Sequence, residues 1–151
     1  MQDESQGLSH TRKIEVSWGD CDAAGVVFYP RYYAWFDACT HAMLGAAGLG
    51  HHALRERYGV IGTPLVRTSA EYRSPATYDD VLEARSTVTR VGRSSFTVTH
   101  RLELDGRLVV EGEEVRVWAA PDAEAEHGIR AAEIVPEVRA VLSGGTPRRA
   151  G

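Results

Sequence analysis

From Pro30 to Ala46 the chain carries one long helical signal, and almost everything after it reads as strand. Pro30 suits the first turn of a helix, where its missing N–H is harmless. Tyr32, Trp35, Phe36, Cys39, Ala42, Met43 and Ala46 then recur at spacings of three and four, which is one apolar helical face. Gly48 and Gly50 are helix stops, and HHALRERYG is a short helical turn. A long apolar helix with little other helix around it must bury its face against sheet.

The strand signals are regular. Ile14, Val16 and Trp18 alternate with Lys13, Glu15 and Ser17. Strands are expected at Val60–Ser74, Val81–Gly92, Ser94–Leu104 and Arg107–Ala120. Turns fall at Val91-Gly92-Arg93 and at Asp105-Gly106, a strong hairpin cue. A last helix starts at Pro136. The expected class is α+β: an antiparallel sheet wrapped around one long central helix. Such a sheet leaves an edge and an uncovered face, which proteins commonly manage by pairing with another copy.

Length and charge narrow the function. The chain's 151 residues fit one domain, expected over residues 11–142 with frayed tails at 1–10 and 143–151. A net charge of −4 argues against nucleic acid as a partner. No apolar run approaches the roughly 20 residues of a membrane helix, and the N-terminus lacks signal-peptide order. Two cysteines, Cys21 and Cys39, fit a reducing cytoplasm.

The chemistry concentrates in WGDCDAAGVVFYP, Trp18 to Pro30. Calcium is discounted, because Ala24 and Arg31 stand where an EF-hand loop needs oxygen ligands. Adjacent His51 and His52 point apart and lack a second ligand pair, so no metal is expected. There is no G-x-S-x-G elbow and no dinucleotide fingerprint. What remains is a pair of carboxylates, Asp20 and Asp22, ahead of a helix whose first N–H groups are free. A carboxylate there can serve as nucleophile or base, and the N–H groups of Gly25 to Tyr29 can receive the oxygen of a polarised carbonyl. The alternative is an N-cap or turn role for either aspartate.

The stretch GDCDAAGVVFYPRYYAWFDA resembles the signature of the hot-dog-fold acyl-CoA thioesterases, in the 4-hydroxybenzoyl-CoA thioesterase branch. The likeness continues in VIGTPLV, ATYDDVL, EVRVWA and RAAEIVP. It implies Asp22 as the catalytic carboxylate and Asp20 as a structural one. It implies Tyr29 as the backbone N–H that polarises the thioester carbonyl, and Gly25 as the close approach to it. Asp37 becomes a partner for a ring hydroxyl, with Phe28 and Trp35 shaping the pocket. Arg93, Ser94 and Arg130 become the basic pocket mouth for the phosphates of coenzyme A. The chain departs from the family at this turn, where Ser94 and Ser95 follow a single arginine, and in AAGLGHHALRERYGV, which lacks an expected tryptophan.

The resemblance thus implies a cytoplasmic enzyme that hydrolyses an aromatic acyl-CoA, a hydroxybenzoyl-CoA or close relative. It needs no cofactor, since coenzyme A is part of the substrate. Dimers are expected to pair into tetramers with sites at subunit interfaces. The rivals are a thioesterase for short or branched aliphatic acyl-CoA and a non-catalytic acyl-CoA binding module. A dehydratase on the same fold would want a histidine beside the helix start, and none lies between Gly19 and Asp37.

Overall fold

A computed structural model describes residues 7–145; the tail expectations at 1–6 and 146–151 lie outside the described residues. The chain runs β1 (Ser9–Glu15), a 3-10 turn (Trp18–Asp20), α1 (Pro30–Ala46), α2 (His51–Tyr58), β2 (Leu65–Tyr72) and β3 (Val81–Val91). It continues through β4 (Ser95–Leu104), β5 (Arg107–Val117), β6 (Ala119–Pro121), β7 (Ile129–Ala131) and α3 (Pro136–Leu142). Five strands form one sheet in the order β1-β3-β4-β5-β2, with every neighbouring pair antiparallel. β6 and β7 make a separate ribbon.

Local chemistry explains the elements that match expectation. Pro30 occupies the first turn of α1. Asp105 and Gly106 both hold positive φ, 50° and 82°, which is what a tight hairpin turn between β4 and β5 requires. The differences also have causes. β1 begins at Ser9, inside the expected tail, because the Leu8 N–H donates to the Leu142 carbonyl (3.0 Å) and the Leu8 carbonyl accepts from Val88 (2.8 Å). Trp18 belongs to the 3-10 turn rather than to the first strand. β2 starts only at Leu65, since Pro64 cannot donate to a ladder and Ile61 is already bonded to Ala119 (2.8 Å). The last long strand breaks at Trp118, whose N–H turns to the Ser94 carbonyl (2.8 Å), and the exposed β7 is too short for its alternation to announce it.

Helix α1 lies across the inner face of the sheet, and its buried residues are Tyr32, Phe36, Cys39, Thr40, Met43 and Leu44. The buried stripe is therefore rotated from the expected one: Trp35 is half-buried and Ala46 exposed, while Thr40 and Leu44 point in. The core divides into two apolar clusters. Ile14, Val16, Tyr32, Phe36, Ala84, Leu82, Leu102 and Val110 pack around the first half of α1. Met43, Leu44, Leu54, Val88, Phe96, Val98, Trp118 and Val138 pack around the second half, under α2 and α3.

A polar seam separates the clusters on α1, β3, β4 and β5. Thr40 sits between Phe36 and Met43 on α1, Ser86 between Ala84 and Val88 on β3, and His100 between Val98 and Leu102 on β4. The seam is fully bonded. Ser86 meets His100 Nδ1 (2.7 Å), His100 Nε2 meets Glu114 Oε1 (2.9 Å), and Thr40 donates to the same carboxylate. Arg116 closes it, donating from Nη2 to Glu114 Oε2 (2.7 Å) and to Asp37 Oδ1 (2.8 Å), and from Nη1 to the Thr63 carbonyl (3.0 Å). Burial alone would raise the Glu114 carboxyl, but hydrogen bonds from His100, Arg116 and Thr40 and the Arg116 charge more than offset it and hold the pKa down to about 2. The Phe36 ring stacks on His100 (4.9 Å, 6° between planes) and lies against Gly112, where a Cβ would come within 2.3 Å of it.

Gly112→Ala is therefore expected to lose roughly 1–3 kcal/mol, seen as a lower urea midpoint, because the buried Phe36 ring has nowhere to move. Glu114→Gln leaves Arg116 buried with a single carboxylate partner and should cost about 1–3 kcal/mol at neutral pH. A depressed native pKa adds stability that is present above the unfolded value and lost on acidification. The natural chain should thus lose stability as pH falls from 4.5 toward about 2, and chemical denaturation across that window should show a shallower fall in the variant.

Candidate active site

The loop before α1 is a clamped hairpin. Cys21 and Val27 form a bridge, the Asp22 N–H donates to the Val26 carbonyl (2.9 Å), and the Gly25 N–H donates back to the Asp22 carbonyl (2.9 Å). Gly25 turns the chain at φ 81°, a conformation that a side chain would strain. Its carbonyl accepts from Thr77 Oγ1 (2.6 Å), and Val27 donates to the Ala76 carbonyl (2.9 Å), so the β2–β3 connection holds the loop from behind.

Within this loop the two aspartates part company. Asp20 Oδ2 accepts the Ser17 N–H (2.8 Å), its Oδ1 faces Arg31 Nε at 3.7 Å, and its carbonyl accepts the Phe28 N–H (2.8 Å). Those bonds make it a local brace. Asp22 uses only Oδ1, which accepts the Ala24 N–H (2.9 Å); its Oδ2 has no partner among the described residues. Asp22 is exposed, so the chain by itself places no closed apolar wall around it. Tyr29 caps α1, and its N–H makes no hydrogen bond among the described residues, while the Phe28 N–H is occupied. The rings of Phe28 and Tyr29 are exposed and lie 5.4 Å apart. A carboxylate with one free oxygen and a free N–H at the start of a 17-residue helix thus share one short, braced segment.

The other expected residues fall elsewhere. Trp35 turns toward β1, edge-to-face on Tyr32 (5.3 Å), and lines a groove with Arg12, Lys13 and Asp20. Asp37 Oδ1 accepts from Arg116 and lies 3.3 Å from His41 Nε2. Arg93, Ser94 and Arg130 do not approach Asp22 within one protomer. The Asp22 loop packs at the Val81 end of β3, where Val16 donates to the Asp80 carbonyl (2.9 Å). Arg93 sits past the Val91 end, about 30 Å away along a strand of 11 residues. Arg93 faces Glu133 and Arg130 faces Asp122, each at 3.9 Å.

Several residues of the site were not singled out from the sequence: Thr77, Arg116 and His41. Only His41 had a local signal, since it follows Asp37 by four residues and so shares its helix face. His41 and His51 border a cavity of about 350 Å³, floored by Leu44, Leu49 and Leu54 and reaching Thr63. Cys39 adds no nucleophile here: it is buried, and burial pushes its thiol up. No helix among the described residues is long and apolar enough to cross a membrane.

Comparison with known proteins converges on one group. The 4-hydroxybenzoyl-CoA thioesterase of Pseudomonas sp. strain CBS-3 is 35% identical over 133 residues, covering 83% of this chain and 92% of that protein. Its three-dimensional structure superposes with a TM-score of 0.81 at 32% identity, covering 89% of this chain and 99% of that one. A 1,4-dihydroxy-2-naphthoyl-CoA hydrolase of Synechococcus sp. strain WH7803 is 31% identical over 116 residues, 73% of this chain and 74% of that protein. The profile of the Thioesterase-like superfamily matches residues 16–142, from the end of β1 through α3, and the chain belongs to that superfamily, with its hot-dog fold.

Proposed function

We propose that the chain is a cytoplasmic thioesterase that hydrolyses an aromatic acyl-CoA, a hydroxybenzoyl-CoA or close relative. The observation that carries this is the free Asp22 oxygen on the same braced loop as the unbonded Tyr29 N–H. The thioester carbonyl oxygen accepts from that N–H, in line with the α1 dipole, and gains negative charge as the carbonyl carbon is attacked. Asp22 either adds to the carbon, expelling the thiolate and leaving a mixed anhydride for water to cleave, or takes a proton from an attacking water. Neither route needs a metal or an organic cofactor. Similarity to the Pseudomonas and Synechococcus enzymes, both acting on hydroxylated aromatic acyl-CoA, supports the acyl class.

The same reading includes a homodimer, paired into a tetramer. β2 is an edge strand, exposed along its length, and Leu65, Val66 and Tyr72 on it are exposed. Two copies joined antiparallel through β2 would set the Leu65 end of one against the Tyr72 end of the other. Tyr72 meets Tyr32 near the start of α1 (5.6 Å), whereas Leu65 pairs with Arg116, the partner of Asp37, at the end where Arg93 also lies. Pairing would therefore bring Asp22 and Tyr29 of one copy toward the Asp37 and Arg93 end of the other, and supply the missing walls.

Steady-state hydrolysis of 4-hydroxybenzoyl-, benzoyl-, phenylacetyl- and hexanoyl-CoA, followed by thiol release, tests the assignment. The aromatic esters are expected to lead; preference for hexanoyl-CoA would discard the aromatic class, and no turnover of any ester would leave a binding module. Asp22→Asn should lower kcat by about 10²–10⁴-fold with the oligomer intact on gel filtration. Asp20→Asn should instead show mainly as a loss of about 0.5–2 kcal/mol in thermal unfolding, since its carboxylate braces backbone.

A further inference from the structure

The Asp37 carboxylate is already engaged: Arg116 and His41 Nε2 both converge on its Oδ1. Arg116 is itself fixed by Glu114 and the Thr63 carbonyl, so Asp37 is held from inside the protein. What it holds in turn is the His41 imidazole. The His41 Nε2 lies 3.3 Å from that carboxylate oxygen, which sets the ring beside it. His41 stands on the border of the cavity between α1 and α2, and His51 stands across from it, with ring centroids 6.5 Å apart and planes at 76°. His51 is set by packing. It opens α2 after Gly50, and its ring rests over Gly62, where a Cβ would be 3.0 Å from Cε1. The neighbouring His52 points away to Glu56 (3.2 Å). No ring nitrogen of His51, and no Nδ1 of His41, has a hydrogen-bond partner among the described residues. Between them lies an apolar floor of Leu44, Leu49 and Leu54.

We propose that the His41–His51 pair, with Asp37 as the positioning residue behind His41, reads a hydroxyl on the aromatic ring of the acyl group. This rests on the aromatic acyl-CoA reading above. The cavity of about 350 Å³ has room for one ring on its leucine floor; His41 stands about 18 Å along α1 from Tyr29 of its own chain, so the ring that enters belongs to an ester held at Tyr29 of the other copy in the proposed dimer. A phenolic hydroxyl between the two rings can donate to a nitrogen of one imidazole and accept from an N–H of the other, which satisfies both. A ring without the hydroxyl leaves them unpaired against an apolar ligand, and that difference is the source of discrimination. Asp37 thus acts through His41 rather than touching the ring.

The test compares kcat/KM for 4-hydroxybenzoyl-CoA with that for benzoyl-CoA. The natural protein should favour the hydroxylated ester by about tenfold or more, short of the largest known discriminations because both imidazoles reach solvent. His41→Leu and His51→Leu should each bring the ratio to within about twofold, whatever happens to the absolute rates. Asp37→Asn should lower the ratio too, and combining it with His41→Leu should lower it no further, which a general loss of structure would not reproduce. A ratio that survives both leucine variants overturns the proposal, as does a natural protein with no preference. Titration of the assembled protein with 4-hydroxybenzoate and with benzoate, read on the imidazole Cε1–H resonances of His41 and His51, separates the two levels. Shifts specific to the hydroxylated acid without turnover of any ester would keep the pair and remove the thioesterase reading. Turnover of aromatic esters without such shifts would do the reverse.

Discussion

The seam of Thr40, Ser86, His100, Glu114 and Arg116 determines where α1 sits on the sheet. Apolar packing is tolerant of sliding, since a leucine fits against many leucines. A buried ion pair is not, because a misplaced helix would strand a charge or a hydroxyl in the core. Each seam member has its partners met, and no buried polar side-chain atom of the described residues lacks one. The stacking of Phe36 on His100 and its close approach to Gly112 repeat the same constraint in apolar form. Together they oppose sliding of the helix along the sheet.

That setting carries outward to the chemistry. Pro30 and Tyr29 lie at one end of the helix, and Asp37 two turns along it is tied to the seam by Arg116. At 1.5 Å per residue the two ends of this segment are about 12 Å apart along the axis. The loop that carries Asp22 is fixed independently, by Thr77 and by the brace of Asp20. The elements of the site are therefore held by the rigid part of the molecule, although each of them reaches the surface.

What could be read from the sequence was what local chemistry dictates. Pro30 and the three-and-four spacing gave α1 its span, Asp105-Gly106 gave the β4–β5 turn, and GDCDAAG marked the loop in which Asp22 stands. The rotation of the helix stripe could not be read, because Thr40 is buried only by virtue of a carboxylate 74 residues away. For the same reason Asp37 looked free: nothing near it announces Arg116, 79 residues on. Arg93 followed the motif but stands at the far end of the same sheet, and strand length alone decides that. Each of these is a fact of pairing over long separations, which periodicity does not encode.

The separation of Asp22 from Arg93 is itself informative. In the proposed reading a ligand with an acyl group at one end and phosphates at the other would use both regions, yet the chain holds them about 30 Å apart across its sheet. The naked β2 edge offers the remedy. Head-to-tail pairing through that edge would run on into an open filament, whereas a two-fold pairing closes on itself. Only the two-fold arrangement reverses one sheet relative to the other, and so carries the Arg93 end of one copy toward the Asp22 end of its partner. In the proposed dimer the exposure of Asp22, Tyr29 and Tyr72 in a single chain is the open half of a shared site. In that reading, a chain that kept every residue of the loop but lost the β2 edge would keep its carboxylate and its N–H, and lose the partner surface that completes the site.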